Sequence, residues 1–256
     1  LVMAAGQDIT LAGAEVINEG ANSQTLVAAG RDLTLAAVHT ENHHSSSARV
    51  EIAEPVGSED FVFGSFQPRP ADSHSESQSL DIGTTLRTGG DLTLQAVGDL
   101  FAQAAQVRVG GDLNAKAGGD LLIVSGSQSA SYSLDGEGVT VEAQDSTQRS
   151  SGFDVTGDMQ LTAGNDLLLM ASQLKAGGDA SLTAGNDLTL LAGQNYSYSL
   201  TDYQHTGSYG RKTQQRDEVT DLTHVASGIS GGSLTLHSGG DQRYQAANLH
   251  SDGDLR

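Results

Sequence analysis

The sequence predicts an all-β fold, a parallel β-helix (β-solenoid) of about 21 residues per coil with hairpin-like excursions. The first observation is a recurring turn: Gly89-Gly90-Asp91-Leu92, Gly110-Gly111-Asp112-Leu113, Gly118-Gly119-Asp120-Leu121, Gly164-Asn165-Asp166-Leu167 and Gly185-Asn186-Asp187-Leu188. The second is its spacing. Asp91 to Asp112, Asp99 to Asp120, Asp158 to Asp179, Asp166 to Asp187 and Ser233 to Asp254 are steps of 21 residues, divided into 8 and 13. The third is the alternation after each turn, as in Leu92-Thr93-Leu94-Gln95-Ala96, which is the period of a strand with one buried face. Units of this length bury their apolar faces only against their neighbours. A helical reading fails, because no apolar stripe of period 3.6 appears and glycine occurs 32 times.

Each part of the coil has an expected job. Glycine at the turn is expected to take positive φ. The carboxylates of Asp91, Asp112, Asp120, Asp166, Asp179 and Asp187 are expected to accept backbone N–H bonds across their own turns. Alternating intervals of 8 and 13 suggest a flattened triangle of three short strands, with Leu over Leu inside and Thr over Thr outside. Some six circuits at ~4.8 Å give a rod of roughly 30 Å with open β-edges at its ends. The chain therefore reads as an interior excerpt, and Leu1–Gly6 as already within a repeat, with no signal peptide to be seen.

Coil-like blocks cover about 1–38, 89–124, 157–192 and 231–256, forming one quasi-linear domain. The 24-residue step from Asp8 to Asp32 marks one enlarged circuit. Excursions of different composition separate the blocks, at about 39–88, 125–156 and 193–230. They hold all three prolines, five of six tyrosines and four of five phenylalanines, so the break in rhythm is also a break in chemistry. Ser73, Ser75, Ser77 and Ser79 alternate with other polar residues, as do Ser127, Ser129, Ser131 and Ser133, which suggests extended strands solvated on both faces. Asp135-Gly136 and Gly207-Ser208-Tyr209-Gly210 are placed where hairpin tips belong. Each excursion is expected to leave the rod as a β-hairpin and return; the competing reading is a disordered Ser-rich loop.

Composition narrows function. A formal charge of −19 with only 13 Lys plus Arg argues against nucleic acid and anionic lipid as partners. Absence of Cys excludes a disulfide framework, a thiolate metal site and a cysteine nucleophile. No apolar run approaches the length of a membrane-spanning helix.

These residues resemble the haemagglutinin repeats of filamentous haemagglutinins, the large exoproteins of two-partner secretion that include contact-dependent growth inhibition effectors. The resemblance is clearest at Ser181-Leu182-Thr183-Ala184-Gly185-Asn186-Asp187-Leu188-Thr189-Leu190 and in the Ser-rich breaks after pairs of coils, notably Gln194–Leu200. It implies a right-handed parallel β-helix within a long filament at the surface of a Gram-negative bacterium, exported through an outer-membrane transporter. It implies a segment that presents an adhesin or delivers a C-terminal toxin, with neighbouring repeats and a receptor on the target-cell outer membrane or host surface as partners. It supplies no catalytic residue and no cofactor.

The remaining candidates stand or fall on their chemistry. Calcium β-rolls bring carboxylates together through a Gly-Gly-x-Gly-x-Asp nonapeptide, whereas here the period is 21 and Leu follows Asp, so the turn role is preferred. A polysaccharide-active enzyme needs paired carboxylates in a cleft; Glu59-Asp60 and Asp217-Glu218 are adjacent and face opposite ways on a strand. His39, His43, His44 and His74 offer imidazoles to a metal if a hairpin gathers them, but solvated positions explain them as well. The aromatics offer the better contact candidates: Phe61, Phe63 and Phe66 in the longest excursion, Tyr132 in the second, and Tyr196, Tyr198, Tyr203 and Tyr209 in the third. The preferred reading packs these rings on the flank of the rod; the alternative aims them at a partner. A direct adhesin surface for host glycan or protein is the second functional reading, and an enzyme a distant third.

Overall fold

A computed structural model describes residues 1–48, 72–136 and 138–256. Its strands form three seven-stranded parallel sheets and one six-stranded antiparallel sheet. Sheet A contains Val2–Ala5, Gln24–Ala29, Asp91–Ala96, Leu113–Ala117, Met159–Ala163, Ala180–Ala184 and Leu234–Ser238. Sheet B contains Ile9–Ala12, Leu33–Ala36, Leu100–Gln103, Leu121–Val124, Leu167–Met170, Leu188–Leu191 and Gln242–Tyr244. Sheet C contains Glu15–Asn18, Thr85–Thr88, Gln106–Val109, Gly152–Val155, Gln173–Ala176, Ser227–Gly231 and Ala247–Ser251. The chain visits A, B and C in turn and pairs each strand with its counterpart one coil away, which is a parallel β-helix. There are seven coils rather than the six expected. At ~4.8 Å per strand the rod is therefore roughly 34 Å long.

The period-2 pattern sets the interior. Leu33, Leu100, Leu121, Leu167 and Leu188 stack in one row of sheet B, each at most 1% exposed. Val27, Leu94, Ala115, Leu161 and Leu182 form a matching row in sheet A, and Leu86, Val107, Phe153, Leu174 and Ile229 one in sheet C. Burial of a Leu or Phe side chain contributes about 1.5–3 kcal/mol, so these rows hold the rod together. In the last coil Gln242 and Tyr244 take the places of Leu188 and Leu190.

Three expectations for the coil are corrected. The turn glycines do not take positive φ: among the described residues only Gly13, Gly138 and Gly210 do. They are small because coils approach closely. A Cβ on Gly119 would fall on the Asp99 carboxylate, and one on Gly178 on that of Asp158. The aspartates, likewise, do not bond across their own turns but reach along the rod. Asp99 Oδ1 accepts the Asp120 N–H at 2.8 Å, Asp120 Oδ1 that of Asp166 at 3.1 Å, and Asp166 Oδ1 that of Asp187 at 3.0 Å. A second ladder runs Asp91, Asp112, Asp158, Asp179, each accepting from the next, and ends on the Ser233 N–H. Where the residue before Asp is not glycine, its side chain donates too: Asn165 Nδ2 to Asp120, Asn186 Nδ2 to Asp166, and Arg31 to Asp8. That bond is the leading reason the Asp8 carboxyl lies below its usual pKa.

The outer surface is the third correction. Thr stacks outside on parts of the rod, but sheet B between the third and sixth coils turns Phe101, Leu122, Leu168, Val124, Met170 and Leu191 outward, all half-buried. The outward residues of sheets A and C on the same coils are mostly polar, among them Thr93, Asn114, Gln160, Arg108 and Lys175.

Candidate interaction surface

The excursions leave the rod at one corner, between sheets B and C, and only in the second, fourth and sixth coils. Hairpin 1 comprises Val38–Ala48 and Asp72–Ile82, hairpin 2 Gly126–Gly136 and Val139–Arg149, and hairpin 3 Gly193–Thr206 and Lys212–Val225. Each is shorter than the stretch marked by composition, because Thr85–Thr88, Gly152–Val155 and Ser227–Gly231 are already strands of sheet C. The outgoing arms continue sheet B almost directly, one residue separating Ala36 from Val38, Val124 from Gly126 and Leu191 from Gly193. The tip of hairpin 2 falls between Gly136 and Val139, with Gly138 at φ 75°, two residues beyond the Asp135-Gly136 signal. That of hairpin 3 falls on Gly207-Ser208-Tyr209-Gly210 as expected.

The hairpins are not separate. Asp72–Ile82 pairs antiparallel with Gly126–Gly136, and Val139–Arg149 with Gly193–Thr206, so three hairpins form one six-stranded sheet. The reason is dimensional. A hairpin is two strands wide and two coils are two strands deep, both ~4.8 Å per strand, so hairpins on alternate coils meet edge to edge. In the intervening coils the same corner is a tight turn with Ala104 at φ 50° or Ala171 at φ 46°. Gly126 and Gly193 at the feet of hairpins 2 and 3 leave room for these alanines, whose Cβ atoms lie 2.9 and 2.8 Å from where a glycine Cβ would be. Buried hydroxyls bind the corner: Ser151 Oγ donates to the Val124 carbonyl at 2.7 Å and Ser227 Oγ to that of Leu191 at 2.6 Å.

Direct cross-strand partners share a face, which sorts the predicted residues. One face carries Tyr132, Leu134, Val139, Val141 and Tyr203 with His44 and His74; the His74 and Tyr132 rings are 5.0 Å apart. The opposite face carries Tyr196, Tyr198, Leu200 and Leu222 beside serines such as Ser77, Ser129 and Ser131. Burial first, then the carboxylates of Glu218 and Glu142, raise the Tyr198 pKa. Tyr209 sits fully exposed at a tip. The tyrosines anticipated as one set are thus split between two faces and a tip, and Tyr132, Tyr198 and Tyr203 pack among hairpin residues rather than on the rod's flank. Phe61, Phe63 and Phe66, with Glu59-Asp60, lie outside the described residues.

The other candidates do not assemble into a site. His43 faces away from His44, His39 bonds Asp81 at 2.8 Å, and among the described residues no group of three metal-ligating side chains converges. Asp217 and Glu218 point to opposite faces, opposite Thr201 and Leu200. Arg216 pairs with Glu218 at 3.0 Å. Sequence reasoning missed the apolar strip on sheet B. Its signal was present in Leu121-Leu122-Ile123-Val124 and Leu167-Leu168-Leu169-Met170, strands apolar on both faces.

A family model described as Hemagglutinin repeat matches residues 1–141 and again 133–253. No curated protein and no solved structure matches the chain. The two matches divide the molecule near the second hairpin, as the alternation of plain and hairpin-bearing coils would suggest.

Proposed function

The chain belongs to the hemagglutinin repeat family, a structural and adhesive family of secreted or cell-surface proteins, and from that premise we propose a division of labour within it. The rod is a stalk segment of a filament, exported by two-partner secretion through an outer-membrane transporter, that holds an adhesive or toxic tip away from the producing cell. The hairpin sheet is its contact surface, facing a receptor on a target-cell outer membrane or host cell.

The observation that supports this reading most is the pairing of three hairpins into one sheet on one side of the rod. Loops that merely interrupted a stalk would have no need to combine into a surface. The half-buried and exposed tyrosines on that sheet supply rings with hydroxyls, suited to protein or sugar contact. No step of chemistry is assigned.

The test is binding of labelled protein to intact Gram-negative and epithelial cells, beside a variant whose three hairpins are replaced by short Gly-Asn turns. Saturable binding that disappears with the hairpins is expected. Equal, negligible binding by both folded proteins would make the segment a passive stalk.

A further inference from the structure

At the foot of the hairpin sheet, in one row, His39 lies opposite Asp81, Ser127 opposite Gln148 and Gln194 opposite His224, each pair within its own hairpin, and hydrogen bonds join the pairs to one another. The two seams between hairpins cross this row, and they are built differently. At the seam between hairpins 1 and 2, Asp81 is 8% exposed. Its carboxylate accepts from His39 Nδ1 at 2.8 Å, from the Ser127 N–H at 2.7 Å and from Ser127 Oγ at 3.2 Å. At the seam between hairpins 2 and 3 the corresponding bonds are neutral. The Gln148 N–H donates to Asn195 Oδ1 at 2.8 Å, Gln148 Nε2 donates to the Gln194 carbonyl at 3.1 Å, and Ser125 Oγ donates to Gln148 Oε1 at 2.5 Å.

The geometry points to an acid-sensitive latch: protonating Asp81 releases hairpin 1 from the sheet while hairpins 2 and 3 stay joined. A carboxylate serves three donors only while it is ionised; protonated, it brings a donor of its own into a place built for acceptors. The groups that face it are His39 and Glu41 from its own hairpin and Ser127, Ser129 and Gln148 from hairpin 2. Of these only His39 adds a favourable charge. Burial raises the Asp81 pKa, but the bonds from His39 and Ser127 outweigh it and hold the carboxyl below the usual aspartate value. A group with a depressed folded-state pKa stabilises above its unfolded value, and that stability is lost as pH falls through the folded one. Release therefore belongs below the ordinary aspartate range, about pH 4.

Hydrogen exchange, corrected for intrinsic rates, tests the latch on the whole chain. In the wild type, protection along Asp72–Ile82 should fall about tenfold or more between about pH 5 and about pH 2.5, with little change along Gly193–Thr206. Asp81→Asn should lower protection at this seam at both pH values and flatten its pH dependence. Gln148→Glu should loosen the second seam near neutral pH, where its carboxylate meets the Gln194 carbonyl that Gln148 Nε2 serves, and tighten it in acid, a response of opposite sign to that of the first seam that does not depend on Asp81→Asn folding well. Simultaneous loss of both seams in the wild type, or an unchanged acid profile in Asp81→Asn, would overturn the proposal without touching the contact role of the sheet.

Discussion

The rod and the hairpin sheet are both built from strands stacked ~4.8 Å apart, yet they owe their order to different forces. In the rod, Leu, Val and Ala, with Ile123, Phe153 and Met159, line the interior of the central coils, and the strands are parallel. In the hairpin sheet the strands are antiparallel and Ser-rich, and Leu200 is the one apolar side chain of the described arms that is buried. Such arms carry too little apolar surface to fold alone, because a lone hairpin is marginal in water. They are ordered because the rod sets their feet two coils apart, which is the width of a hairpin. A hydrophobic solenoid can therefore serve as a ruler for a polar sheet.

The most disruptive way to break this contrast is Leu188→Asp. An unpaired carboxylate in an interior row costs several kcal/mol. Aggregation or a large loss of thermal stability, followed by circular dichroism, is expected. Wild-type melting would show that the interior rows do not hold the rod.

Removing residues 89–109, one hairpin-free coil of 21 residues, tests the ruler itself. It joins Thr88 to Gly110 in the repeat register and leaves the rod intact. It also places hairpins 1 and 2 on adjacent coils, one strand spacing apart where two are needed. Loss of exchange protection in the hairpin arms with the rod preserved is the expected result. A hairpin sheet that survives the deletion would refute the dimensional argument.

Smaller effects sharpen the picture of the coil. Gly119→Ala should destabilise by more than a backbone-entropy change, since its Cβ meets the Asp99 carboxylate. Asp120→Ala removes the acceptor of the Asp166 N–H and of Asn165 Nδ2, a loss of about 1–3 kcal/mol that a melting curve will register. Smallest of all, Ser79→Ala deletes the 2.7 Å hydroxyl contact with Ser129 across the first seam and should cost about 1 kcal/mol, confined to the hairpin sheet. If melting of the rod shifted as much as hairpin exchange, the two regions would be one cooperative unit.

Much of the rod was legible because its signals are local. Asp91 and Asp112 mark one coil, and Leu92-Thr93-Leu94 marks one strand with a buried face. The misreadings share a cause. A glycine beside an aspartate reads as a residue of unusual φ, but Gly119 is there to clear a carboxylate from the coil before it. The Asp ladders were visible as a spacing, while their bonding direction depends on how coils stack. The candidate surface was harder still. Alternating serines announced extended arms, but nothing near Tyr196 or Tyr203 in sequence says which face each occupies once hairpins pair.

The sequence by itself determined the coil: its period, its interior rows and the places where the chain leaves the rod. These follow from alternation and turn chemistry within some twenty residues, so each repeat carries its own instructions. Tertiary structure alone decided that the hairpins join, which aromatics share a face, and that Asp81 of one hairpin meets Ser127 of the next. Those contacts link residues 46 and more positions apart, and they exist only because stacked coils and paired strands have the same spacing.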